Sequence, residues 1–117
     1  MRLARAYPSA RAYTIGPFHH QETVEDNIDT PFDFTKDNYK KIEKILAKYP
    51  TKYKRSAILP LLHLAQEQEA GWLKLGAMNK IAEICHVHPM YVYECSTFYS
   101  MYNRRKVGKY HLLVCKT

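Results

Sequence analysis

Hydrophobic positions along the chain fall into four stretches of helical spacing, separated by short polar breaks, and then into one run of strand-like alternation. In "TPFDFTKDNYKKIEKILAKYP" the apolar residues Tyr39, Ile42, Ile45, Leu46 and Tyr49 share one helical face. Thr35 is placed to cap this helix, Asp37 suits the positive end of its dipole, and Pro50 stops it. In "KRSAILPLLHLAQEQEAGW" the set Ile58, Leu61, Leu62 and Ala65 keeps i, i+3, i+4, i+7 spacing. Gly71 there supplies a left-handed residue past the C-terminus, which lets Trp72 fold back on the last turn. Pro60 donates no helical hydrogen bond, so it belongs in the first turn or at a kink. "LGAMNKIAEICHVHP" predicts a short third helix over 77–85, with Met78, Ile81, Ala82 and Cys85 on one stripe and Gly76 at its N-cap. Pro89 suits the first position of a fourth helix, whose aromatic face of Tyr91, Cys95, Phe98 and Tyr102 is expected to be buried.

The polar turn "NRRKVGK" leads into "YHLLVC", where Tyr110, Leu112 and Val114 alternate with His111, Leu113 and Cys115. This run of β-formers reads as a mostly buried strand. A strand needs a partner, and no other segment offers one. At the other end, residues 1–30 mix Arg, His, Pro, Gly and acids without sustained period and read as an extended or disordered arm. The expected organisation is an arm over 1–30, a helical bundle over 31–105 and a strand segment over 106–117. No internal repeat or low-complexity tract interrupts it.

At 117 residues, 46% apolar and 25% charged, the chain has the size and balance of one globular domain. Its longest unbroken apolar run, Ala57 to Leu62, contains Pro60 and is far short of the roughly 18 residues that indicate a membrane span. The formal net charge of +7 is unevenly spread. Residues 1–21 carry Arg2, Arg5 and Arg11 with no acid, while 22–37 hold six acids against Lys36. Residues 38–117 then carry fourteen Lys and Arg against five Glu. A basic body of this kind suits nucleic acid, an anionic surface or an acidic protein, but its lysines follow the outer face of a helix, where they solvate it. No recognition-helix pattern supports nucleic-acid binding. "MRLARAYPSARAY" has the acid-free, arginine-bearing composition of a mitochondrial transit peptide.

Candidate chemistry is sparse. No phosphate-binding glycine loop, nucleophile elbow, HExxH helix or paired-carboxylate pattern occurs, so autonomous catalysis has no residue set to carry it. Three cysteines, Cys85, Cys95 and Cys115, in a chain without secretory features are thiols or ligands rather than a disulfide framework. Cys85, His86 and His88 lie close together in "CHVHP", but Cys85 completes an apolar stripe and a zinc site still needs a fourth ligand. Cys95 sits on the aromatic stripe, where a free thiol packs as a small hydrophobe. His63 is read as structural or exposed. Cys115 differs from the other cysteines because it stands at a strand exit, where ligands and redox thiols commonly sit.

The stretches "TPFDFTKDNYKKIEKILAKYP", "HLAQEQEAGWL", "AMNKIAEICHV", "VYECSTFYSMYN" and "VGKYHLLVC" together resemble the 24-kDa flavoprotein-2 subunit family of complex I, NADH:ubiquinone oxidoreductase, with its bacterial counterparts. The resemblance covers about residues 30–117. It implies a mainly α chain, an N-terminal four-helix bundle followed by the first strand of a truncated thioredoxin-like α/β domain. In that family the domain binds one [2Fe-2S] cluster through four cysteines, a C-x4-C pair at the exit of the first strand and a later C-x3-C pair. Cys115 matches the first ligand, so this chain is expected to supply at most one of the four. The implied role is in the NADH-oxidising module, on the matrix side of the mitochondrial inner membrane, where the cluster exchanges electrons with the flavin of a partner subunit. The implied partners are that flavin-bearing subunit and other complex I subunits. The alternative is a cluster-free helical docking module of the same complex, and in either case no autonomous activity is expected.

Overall fold

Thr35 caps the first helix as its sequence position requires, its hydroxyl accepting the Asn38 N–H at 3.4 Å. The computed structural model of the chain describes residue 23, residues 25–27, residues 30–112 and residue 114. Four α-helices are present among them: α1 (Lys36–Leu46), α2 (Ile58–Gln68), α3 (Leu75–Cys85) and α4 (Pro89–Phe98). A 3-10 segment, Thr51–Ala57, runs from Pro50 into α2. Its residues carry no helical apolar stripe, which is why the pattern gave no sign of it. Pro60 is the third residue of α2, inside the first turn, where a missing N–H costs nothing.

Two helix ends close with a left-handed residue. Beyond α2, Ala70 has φ 55° and Gly71 φ 95°, and the Gly71 N–H reaches back to the Gln66 carbonyl at 2.9 Å. This is a Schellman closure with the left-handed position at Ala70, one residue before the expected glycine. Beyond α3, His86 has φ 53°, and the Val87 N–H donates to the Ala82 carbonyl at 3.0 Å. At the start of α4, Pro89 takes the first position and the His88 Nδ1 accepts the Met90 N–H at 3.2 Å.

Helices α2 and α3 supply the centre of the core. Leu61, Leu62, Leu73, Ala77 and Ile81 have no exposed surface, and Met78 and Cys85 are nearly as deep. Against them pack Ile42 of α1, Ala57 of the 3-10 segment and Val92 of α4. Each Leu, Ile, Val or Met side chain among them removed from water contributes about 1.5–3 kcal/mol.

Two expectations change. Helix α3 begins at Leu75, so Gly76 lies within its first turn and Lys74 takes the N-cap position without a side-chain cap. Helix α4 turns Val92 and Ser96 to the core in place of the aromatic stripe, leaving Phe98 80% and Tyr91 40% exposed. Tyr102, the last member of that stripe, is buried, because the backbone leaves the helix before reaching it. The expected terminal strand lies partly outside the described residues; within them Tyr110, Leu112 and Val114 are each more than 80% exposed, and no partner strand is present among the described residues. An extended segment with no neighbouring strand has nothing to satisfy its backbone or cover its side chains. Of the arm, residues 1–22 lie outside the described residues, but Asp26 within residues 25–27 is buried against α3.

Candidate functional site

Where the chain leaves α4, a clamp of amide side chains fixes its path. Gln66 of α2 uses both ends of its side chain: Oε1 accepts the Asn103 N–H at 2.9 Å and Nε2 donates to the Met101 carbonyl at 3.1 Å. Asn103 answers with two bonds to the α2–α3 connector. Its carbonyl accepts the Leu73 N–H at 2.7 Å and its Nδ2 donates to the Gly71 carbonyl at 3.0 Å. Beside them the buried Tyr102 hydroxyl donates to the Leu59 carbonyl at 2.9 Å, and burial pushes that phenol up in pKa. A hydrogen bond of this kind contributes about 1 kcal/mol, and a buried partner left unpaired costs about 1–3 kcal/mol. Past Asn103 the grip loosens. Lys106 pairs with Glu25 at 3.2 Å in solvent, and from Gly108 to Leu112 every residue is exposed. The run over 108–112 therefore starts from a fixed point at Asn103 and lies exposed to solvent.

The described cysteines are built for packing. Cys85 is buried in the core, and desolvation pushes its thiol up to about 11, so it stays protonated. Cys95 is half-buried and also raised, chiefly by burial, in spite of the opposing charge of Arg55. It lines a shallow apolar depression of about 500 Å³ with Glu94, Thr97, Phe98 and Tyr99. In "CHVHP", His86 occupies the left-handed turn and His88 caps α4, so the structure gives each residue a local role. His63 is exposed and lies 3.3 Å from Glu67, one helical turn away. Among the described residues no three His, Cys, Asp or Glu side chains are grouped to hold a metal ion. Cys115, the candidate ligand, lies outside the described residues together with Leu113, Lys116 and Thr117.

A profile of thioredoxin-like [2Fe-2S] ferredoxins matches residues 42–117. The chain belongs to the thioredoxin-like [2Fe-2S] ferredoxin family. Its relatives within and around that family include the mitochondrial NADH dehydrogenase [ubiquinone] flavoprotein 2 of Dictyostelium discoideum, 54% identical over 98 residues, which cover 84% of this chain and 40% of the relative. A subunit of the NADH-quinone oxidoreductase of Rickettsia felis is 50% identical over 90 residues, covering 77% of this chain and 54% of that protein. Its counterpart in Rickettsia typhi is 51% identical over 86 residues, 74% of this chain and 51% of the relative. The chain thus spans about half the length of these curated relatives.

For this ferredoxin-family chain, the matched segment runs from α1 through the clamp to Thr117. The residues that fix the exit path, Gln66, Asn103 and Tyr102, carried no signal as a group in the sequence. Tyr102 stood out only as an aromatic on a helical stripe. Gln66 and Asn103 are polar residues thirty-seven positions apart, and side-chain bonds to distant backbone leave no periodic trace. Among the described residues no helix is long and apolar enough to cross a membrane.

Proposed function

We propose that this chain is part of a subunit of the NADH-oxidising module of respiratory complex I, in mitochondria and on the matrix side of the inner membrane. The observation that carries the reading is the 54% identity over 98 residues to a protein named as mitochondrial flavoprotein 2 of NADH dehydrogenase. In this reading residues 31–105 are the bundle, and the run over 106–117 is the first strand of a thioredoxin-like domain. Cys115 is one thiolate ligand of a [2Fe-2S] cluster, and the flavin-bearing subunit is the electron partner. The cluster, when bound, supplies one-electron transfer. Such a cluster takes four donors, and with Cys85 and Cys95 committed to packing, at most one comes from these 117 residues.

The test is iron and sulfide analysis of the assembled complex carrying Cys85→Ser, Cys95→Ser or Cys115→Ser. The reading expects loss of the cluster's spectrum for Cys115→Ser alone. It also expects the 117-residue chain, reconstituted alone with iron and sulfide, to hold no stable cluster. Full iron content in the Cys115→Ser complex would sink the ligand assignment.

One observation favours the second reading, a helical docking module. Met90, Tyr91, Phe98 and Met101 expose apolar surface along α4 and its exit, and the Arg55 guanidinium lies 4.1 Å from the Tyr91 ring centroid. Aromatic, Met and Arg side chains of this kind are enriched where protein surfaces meet. Binding of the isolated chain to the flavin-bearing subunit, lost on Phe98→Asp without any change in cluster content of the complex, would favour docking over electron transfer.

A further inference from the structure

Helix α3 begins without a cap of its own. Lys74 at the N-cap makes no side-chain cap bond, yet the Leu75 N–H is satisfied at 2.8 Å by the Asp26 Oδ1, forty-nine residues earlier in the chain. Asp26 is 3% exposed. Its placement is prepared locally, because Thr23 and Asp26 bond each other twice, and Asn27 and Thr30 are joined by three hydrogen bonds. The carboxylate also sits where the helix dipole favours a negative charge.

The same segment then crosses α3 so closely that Gly76 has no room for a side chain. A Cβ there would lie 2.6 Å from the Thr30 carbonyl oxygen and 3.1 Å from the Phe32 Cβ. The backbone contact is the obstacle, so the glycine is required by proximity and not by its dihedral angles. Two residues before Leu75, on the same connector, Leu73 donates to Asn103 at the start of the exit run. Farther along, Glu25 meets Lys106. The connector over 69–75 and the first turn of α3 are therefore held both by Asp26 with the crossing at Thr30 and Phe32 and by Asn103.

We propose that residues 25–27 and 30–32 act as a strap that positions the exit run, Asp26 and the close crossing at Gly76 holding the connector on which Asn103 is anchored. Order in the exit run over 103–112 then depends on the N-terminal strap, although Asp26 and Asn103 are 77 residues apart in sequence. Displacing the strap frees the exit run while the α2–α3 core stays closed. This inference stands on the contacts alone and does not require the electron-transfer reading.

Amide hydrogen exchange of the 117-residue chain tests it, comparing wild type with Asp26→Ala, Asp26→Asn and Gly76→Ala. Asp26→Ala and Gly76→Ala are expected to speed exchange at Leu73 and Asn103 by about tenfold or more, while Leu62 and Ile81 keep their protection. Alanine at position 76 raises intrinsic helix preference, so its effect cannot come from a weaker helix. Asn at position 26 keeps an acceptor oxygen and is expected to restore protection at Leu73 and Asn103. The proposal is overturned if acceleration is confined to Leu75 and its neighbours in α3. It is equally overturned if Leu62 and Ile81 accelerate as much as Asn103, since the strap would then hold the whole bundle.

Discussion

Helices α2 and α3 seal Leu61, Leu62 and Ile81 from solvent completely, whereas α4, of similar apolar content, leaves Phe98 80% exposed and fully buries Val92 and Ser96 alone, with Tyr93 and Cys95 packed partly against the core. The α2–α3 pair is covered on several sides, by α1, the 3-10 segment and α4. Helix α4 packs on one side and offers the other to solvent. Apolar content therefore decides whether a helix can be buried, and its neighbours decide which stripe is. The exit run extends the contrast, since Tyr110, Leu112 and Val114 are apolar side chains that stay more than 80% exposed, Tyr110 meeting only the Lys109 ammonium at 5.6 Å among the contacts of the described residues.

The contrast can be broken most forcefully at Leu61 and Phe98. Leu61→Ala is expected to cost about 2–5 kcal/mol in denaturant unfolding, because it opens a cavity where nothing is exposed. Phe98→Ala is expected to stay within about 0.5 kcal/mol of wild type. Comparable losses at both sites would mean that the outer face of α4 belongs to the core.

Next in size is the clamp. Gln66→Ala leaves the Asn103 N–H and the Met101 carbonyl without their side-chain partner and is expected to cost about 1–3 kcal/mol. Gln66→Glu should recover the bond from the Asn103 N–H but lose the donor to Met101, giving an intermediate value by the same unfolding measurement.

A smaller effect, of opposite sign, is expected at the turn between the two core helices. Ala70 holds φ 55° in an exposed Schellman position, so Ala70→Gly should raise stability by about 0.5–1 kcal/mol. Gly71→Ala should lower it, because φ 95° there strains any side chain. Equal melting of all three proteins would contradict the assigned closure.

The smallest effect lies at the surface. The Tyr39 hydroxyl donates to the Asp33 carboxylate and, with the Phe34 N–H and Lys80, holds that group below the usual carboxylate range. A depressed folded value means the contribution is present above the unfolded pKa and is lost as pH falls through the folded one. Wild type and Asp33→Asn should therefore differ slightly at neutral pH and converge in acid. A gap that widens as pH falls would reverse the sign.

The elements and their main stops were legible in the sequence wherever a periodic stripe met a capping or breaking residue, as at Thr35, Pro50, Pro89 and the Met78–Cys85 stripe. Helix α4 misled because Tyr91, Cys95 and Phe98 on one side compete with Val92 and its neighbours on the other, and period alone does not choose between two apolar stripes. The strap was invisible for another reason. Asp26 reads as one acid among six, and its role exists only once α3 arrives with an uncapped N-terminus. Gly76 was noticed, but as a cap instead of a crossing point. The family was legible through five ordered motifs, while Cys115 was singled out by resemblance and position, and the packing of the described residues adds the commitment of the other two cysteines.

Removing residues 109–117 and following thermal unfolding by circular dichroism tests most directly the claim that the bundle is complete in itself and merely carries the exit run. The account predicts a cooperative transition with a midpoint within about 2 °C of the full chain, since the residues removed contribute no buried side chain among those described. A midpoint lowered by more than about 8 °C, or a loss of cooperativity, would contradict it and place the run in the core.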